Sequence, residues 1–98
     1  MLNKFLNALP KVNDELKVFA QSNGAQKGTA IVTKIELDNE IVIDDQFVNI
    51  GKITFNFFTP KYHNQEKVYT IQFDSICNGI SFVPHTNDCY KFHTIWFK

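Results

Sequence analysis

The chain has no arginine; all ten of its basic residues are lysine. Arginine is the favoured bidentate partner of phosphate and of guanine. The formal net charge is zero and the lysines are scattered, so the basic patch on which nucleic-acid binding rests is missing. Nucleic acid is not an expected partner. No apolar run approaches the ~18 residues of a membrane span. The apolar N-terminal stretch is broken by Lys4, Asn7 and Pro10, against a signal-peptide pattern. The expectation is a cytoplasmic protein without a membrane role. No phosphate-cradling glycine loop, nucleotide fingerprint or Ser-His-Asp arrangement is present, and no internal repeat or low-complexity run.

Cysteine is scarce as well, at two residues. Cys77, His85, Cys89 and His93 form the one cluster with metal-ligand chemistry, and its spacing is poor. On an extended strand Cys89 and His93 share a face but stand ~13 Å apart, too far for one ion. Cys77 and Cys89 fall on opposite faces of the expected hairpins, which argues against a disulfide. Cys89 beside His85, Asp88 and His93 reads as an ordinary surface turn rather than a nucleophile with its base. The carboxylates Asp14-Glu15, Asp38 with Glu40, and Asp44-Asp45 read chiefly as solvated positions, the last two sets at turns. No catalytic residue, cofactor or metal follows from the sequence, and the chain is not read as an enzyme.

What the chain does have is alternation. Ile53-Thr54-Phe55-Asn56-Phe57 and Tyr69-Thr70-Ile71-Gln72-Phe73 each alternate apolar and polar, the mark of half-buried strands. Pairing them across a loop at Pro60–Glu66 sets Phe57 against Tyr69, Phe55 against Ile71 and Ile53 against Phe73. Asn78-Gly79 favours a two-residue type I′ turn, which would pair Cys77 with Ile80 and Ser75 with Phe82. The turn formers Pro84 to Asp88 would then set Phe82 against Tyr90 and Ile80 against Phe92. The predicted core side is Ile53, Phe55, Phe57, Tyr69, Ile71, Phe73, Ile80, Phe82, Tyr90, Phe92 and Trp96. Upstream, Thr29 to Leu37 is strand-like, with Ile31, Ile35 and Leu37 on one face. Asp38-Asn39-Glu40 is expected to turn and put Ile41 and Ile43 on the core side. Asp44-Asp45-Gln46 is expected to turn again, and Gly51 to mark a bulge that brings Val48 and Ile50 into phase with Ile53.

A sheet with one apolar face needs a covering layer. Leu2, Phe5, Leu6, Leu9, Val12, Leu16, Phe19 and Ala20 recur at helical steps, and Asn23-Gly24 is a helix stop. Pro10 either kinks this helix or opens a second one. The expected fold is α+β in one domain, residues 1–98. A helix at 1–23 would lie on a five- to six-stranded antiparallel meander at 29–97. In outline this resembles the cystatin-like architecture of a helix across a curved sheet, an analogy of fold that carries no function.

The expected outer face holds Phe58, Val68, Ile76, Ile95 and Phe97 beside Lys91 and His93, and apolar residues on a wet face mark an interface. The terminal strand Tyr90–Phe97 is the expected sheet edge, open to a partner strand or a second copy as a homodimer. Acidic loops at Asp38, Glu40, Asp44 and Asp45 extend this candidate surface. Asparagine, isoleucine, phenylalanine and lysine number ten each, a usage pointing to an AT-rich coding sequence as in low-GC bacteria and their phages. The expectation is a small non-catalytic protein binder. In that setting it would be an inhibitor of a defence enzyme, of the anti-CRISPR type, or a toxin-immunity protein. The alternative expectation is a small-ligand or enzymatic domain with a pocket between helix and sheet.

Overall fold

A computed structural model describes residues 7–44, 46–85 and 88–97, with side chains except for residues 39–44. The described residues form seven strands: β1 (Glu15–Ala20), β2 (Gln26–Asp44), β3 (Phe47–Phe58), β4 (His63–Asp74), β5 (Gly79–Pro84), β6 (Tyr90–Lys91) and β7 (Ile95–Trp96). They make one antiparallel sheet in the order β6-β1-β2-β3-β4-β5-β7, curled into a half-barrel.

The topology itself demands the curl. β6 and β7 lie at opposite edges of the sheet, yet only Phe92–Thr94 separate them in the chain. A flat sheet of this width would hold its edges about 29 Å apart. The path from Lys91 to Ile95 can span only about 14 Å. The sheet therefore bends until its edges approach, and the C-terminal segment bridges them.

The α+β expectation is corrected here. Among the described residues no helix lies across the sheet, and the heart of the predicted helix is strand β1. Leu16, Val18 and Ala20 fit a period of two as well as Leu16, Phe19 and Ala20 fit a helix, so periodicity alone could not decide. Local backbone then blocks the helix. Asn13 is left-handed (φ 78°), and the Asp14 carboxylate accepts the Lys11 amide at 2.8 Å in a turn just past Pro10. β1 instead pairs with β2, Glu15 opposite Ile31 through Phe19 opposite Gln26. Asn23-Gly24, the expected helix stop, belongs to the β1–β2 turn, with Gly24 at φ 72°. Of the expected helical stripe, Leu9, Leu16 and Ala20 do face the core while Val12 is exposed. Leu2, Phe5 and Leu6 lie outside the described residues. Without the helix, the cystatin-like outline does not hold.

The core is the concave side. Val18, Ala30, Val32, Ile53, Phe55, Phe57, Tyr69, Ile71 and Ile80 are almost wholly buried, and Ile50, Phe82, Tyr90 and Phe92 nearly so. Phe55 sits at the centre. It meets Phe57, Tyr69 and Phe82 edge-on and stacks on Phe92 at 4.3 Å between centroids. Burying each such ring contributes about 2–3 kcal/mol, and the edge-on geometry suits the ring quadrupoles. Phe92, on the short bridge between β6 and β7, takes part of the place expected of a helix.

Most predicted core residues are buried, but in a different register. Ile53 pairs with Tyr69 rather than Phe73, and Ile80 pairs with Phe73 rather than Cys77. Each is a slip of an even number of residues, so every side chain keeps its face. The turns explain the slips. The first hairpin closes at Thr59–Tyr62, where the Thr59 amide donates to the Tyr62 carbonyl and the Tyr62 amide to Thr59 Oγ1. The second is a longer loop over Ser75–Asn78. The Asp74 carboxylate accepts the Ile76 and Cys77 amides, each at 3.0 Å, and Asn78 is left-handed (φ 61°). A capping Asp thus outcompeted the Asn-Gly turn.

Upstream, β2 runs unbroken through Asp38-Asn39-Glu40, where its pairing with β3 shifts between Leu37 and Val42; the expected turn is an irregularity within one strand. Ala30 and Val32, not Ile31, face the core, because a second shift between Val32 and Lys34 changes phase before Ile35. Leu37 is exposed. The side chains of Ile41 and Ile43 lie outside the described residues. The bulge expected at Gly51 is there: pairing with β4 shifts between Asn49 and Gly51, and Ile50 and Ile53 both become buried.

Candidate binding surfaces

The residues expected to form one interface are dispersed. The predicted strand Tyr90–Phe97 is divided between the two sheet edges. Tyr90 and Lys91 pair with Ala20 and Phe19, and Ile95 and Trp96 with Ile80 and Gly79. Three unpaired residues between the two pieces reset the alternation, so the parity read from Tyr90 fails at β7. Trp96, expected in the core, is 64% exposed, while Ile95 and Phe97, expected outside, pack against the core. Lys91 is at the β6 edge, and His93 stacks on Phe19 at 3.8 Å. Phe58 and Val68 are on the convex face, Phe58 half-buried beside His63. Asp38 is exposed on β2. The Glu40 and Asp44 side chains and all of Asp45 lie outside the described residues.

The reset creates an exposed apolar corner of which the sequence reading marked Ile76 alone. Ladder pairing sets Phe47, Asp74, Gly79 and Trp96 in one row across the convex face. A Cβ on Gly79 would come within 2.8 Å of Trp96 Cε3 and 2.9 Å of Thr94 Cγ2, so the indole rests against the glycine itself. The Phe97 amide donates to the Asn78 carbonyl at 2.8 Å and Asn78 Nδ2 to the Phe97 carbonyl at 3.2 Å, tying β7 to the turn. That turn presents Ile76, 74% exposed, at the same end. Polar groups border the corner: Gln46 Nε2 donates to Asp74 Oδ2, and Ser81 and Thr94 hydroxyls meet at 3.1 Å. Cys77 is here too, as a free thiol. The hydrogen bond to Asp74, then its charge, holds the thiol above its ordinary pKa.

A second feature lies where the chain leaves β5. Asp88 Oδ1 accepts the Tyr62 hydroxyl at 2.8 Å and the Cys89 amide at 2.7 Å, and Oδ2 accepts the Tyr69 hydroxyl at 3.2 Å. Burial pushes this carboxyl up, but the Tyr62, Cys89 and Tyr69 donors with Lys67 outweigh it, and its pKa lies below the ordinary value. The hydrogen bond to Asp88, then burial, raises Tyr62 to about 12. Burial first, then the Asp88 charge, raises the Tyr69 hydroxyl far above its usual range. Both phenols are fixed donors at neutral pH, and Asp88 pins the β5–β6 connection to the sheet. Beside it is an open cleft of about 200 Å³ lined by Lys67, Val68, Tyr69, Pro84, His85 and Asp88. His85 Nε2 lies 3.1 Å from Thr70 Oγ1. Cys77, His85, Cys89 and His93 thus fall on a turn, two ends of a crossover and a bridge. Among the described residues no set of three or more metal-ligating side chains converges, and no helix is long and apolar enough to cross a membrane.

No family model, curated protein or solved structure matches the chain.

Proposed function

We propose that the chain is a non-catalytic protein-binding domain that acts by steric docking, with Trp96 as its anchor. The observation that carries this reading is the exposed indole seated on Gly79 beside exposed Ile76 within a polar border. A large aromatic already held in place loses little freedom on binding, and tryptophan is the residue most enriched at binding hot spots. The occupant is a different protein offering an apolar pocket to Trp96. Self-association by strand pairing at β7 is disfavoured, because that strand is two residues long. The residue usage favours a phage or bacterial setting, where the domain would occlude a defence enzyme or neutralise a toxin. A pocket between helix and sheet is the less favoured reading: among the described residues no helix covers the sheet, and aromatic rings pack along its concave side.

The test is capture of a partner from native-host lysate by the tagged protein and by Trp96→Asp. One near-stoichiometric protein, lost with folded Trp96→Asp, is the expected result. Recovery of the same protein in equal amount by that variant, or of none by the parent, would overturn the reading. Ile95→Asp is a contrasting control: it should unfold the domain, because Ile95 packs on the core, whereas Trp96→Asp should cost under about 0.5 kcal/mol.

A further inference from the structure

At the β6 edge of the sheet, residues from three parts of the chain gather round Phe19. Val18 and Ala20 are buried on the concave side, so alternation turns Lys17 and Phe19 to the convex face. Lys91 is the ladder partner of Phe19, and paired residues share a face. Lys27 is the extra residue of β2 where its pairing with β1 shifts, between the partners of Val18 and Phe19. His93 lies flat on Phe19, with 3.8 Å between ring centroids and 3° between ring planes. Lysines 17, 27 and 91 are far apart in the sequence, so no basic run marks them. The fold assembles a patch that the sequence does not show.

Two properties of this rim point to a ligand. The first is charge. Among the described residues no ion pair engages Lys17, Lys27 or Lys91, whereas Lys34 is paired with Glu36. Two carboxylates belong to the same region. Glu15 is the next residue along that face of β1. Asp88, in the chain leading into β6, is committed to the Tyr62 and Tyr69 hydroxyls and the Cys89 amide. Three ammonium groups therefore face one uncommitted carboxylate, on a chain whose formal net charge is zero. The second property is shape. A ring stacked parallel on another has one face covered and turns its other face away. His93 is exposed, so that outer face is open.

We propose that this rim binds single-stranded nucleic acid without sequence preference. A base stacks on the open face of His93, and backbone phosphates lie against Lys17, Lys27 and Lys91. Aromatic faces flanked by cations are the recurring device for holding single strands. An acidic protein segment would use the lysines but has no need of a flat, open imidazole. A duplex keeps its bases stacked on one another and offers none to the ring. Lysine meets phosphate as a point charge, and without arginine the rim has no bidentate fork for guanine. Selection is therefore for strandedness rather than sequence. The rim lies at the sheet edge opposite β7, and the inference goes beyond the Trp96 docking reading without resting on it.

The probe is a short fluorescein-labelled oligothymidylate, titrated with the protein at low salt and followed by anisotropy. Its twin keeps the sugars and phosphates but carries no bases. The parent should bind the probe about tenfold more tightly than the twin. Log K should fall against log salt with a slope of about −2, as for three phosphate contacts on a single strand. Lys17→Glu and Lys91→Glu should each weaken binding about tenfold. His93→Ala should erase the preference over the twin, and His93→Phe should restore it. Lys52→Glu changes the net charge equally, but Lys52 stands on β3 opposite Glu36 and Thr70, and this variant should bind nearly as the parent does. Each substituted position is at least partly exposed, so the variants should stay folded. No binding by the parent at low salt, equal affinity for probe and twin, or equal weakening by Lys52→Glu would overturn the proposal. Displacement of the probe by oligoglutamate of matched charge, as readily as by unlabelled oligothymidylate, would overturn it in favour of an acidic protein segment.

Discussion

The β3–β4 ribbon and the C-terminal segment from His85 onward are built on opposite principles. The ribbon is two twelve-residue strands joined by a four-residue turn, paired from end to end. Its alternation is uninterrupted from Ile53 to Phe57, and every apolar residue there faces the core. Among its described residues the C-terminal segment holds two short strands, each attached to a different edge of the sheet. It is held by individual contacts: Asp88 on two tyrosines, His93 on Phe19, Phe92 on Phe55 and Trp96 on Gly79. A long ladder carries structural rules forward along the chain. A bridge carries none, and each of its residues is placed by whatever it meets.

The comparison can be broken first at the two rings that join the regions. Phe55→Ala and Phe92→Ala should each cost about 3–5 kcal/mol in chemical denaturation, with the larger loss at Phe55, which lies at the centre of the cluster. The double variant should fall short of the sum by about 0.5–1.5 kcal/mol, the part of the stack beyond simple burial. Exact additivity would mean that the C-terminal segment is only loosely laid on the ribbon.

A smaller effect is expected at Asp88. Its depressed pKa means that its bonds contribute stability above the ordinary value of 3.8 and lose it as pH falls through the lower folded value. Asp88→Asn should therefore cost about 1 kcal/mol at neutral pH, and the gap should close in acid below about pH 4. At the alkaline end the sign is reversed. Tyr62, raised to about 12, contributes below its ordinary 10 and loses that contribution as pH climbs through the folded value. In Asp88→Asn, tyrosinate absorbance should appear at lower pH than in the parent. Parallel acid profiles for the two proteins would show that Asp88 does not pin the crossover.

The smallest effect tests the corner. Gly79→Ala places a methyl against Trp96 Cε3 and Thr94 Cγ2. Because the indole is exposed it can move aside, so the cost should stay near or below about 1 kcal/mol. Emission from the single tryptophan should shift nonetheless, and partner capture should weaken. An unchanged spectrum would mean the indole is not seated on Gly79.

The surfaces were much less legible in the sequence than the core. Strand parity puts Ile76 on the outer face, and it is exposed on a turn. Extending the parity of Tyr90 and Phe92 puts Trp96 in the core, but β7 does not share that parity. Val68, expected on the outer face, is exposed there, and its neighbours Pro84 and His85 follow from where β5 stops. Lys67, Tyr62 and Asp88 meet although Tyr62 and Asp88 are 26 residues apart, and no local pattern links them.

From the sequence alone came the faces: which residues of β3, β4 and β5 turn inward, and the need for a bulge at Gly51. Side-chain direction alternates with a period of two, a local property that survived two register slips because both were even. Tertiary structure decided the rest. It made Glu15–Ala20 a strand, since its apolar pattern fits both periods and β2 offered it an edge. It set the registers, through the Thr59–Tyr62 turn and the Asp74 cap. It sent the C-terminal segment from one sheet edge to the other, because curling the sheet let Phe92 reach Phe55, and the energy of that contact appears in no window of neighbouring residues.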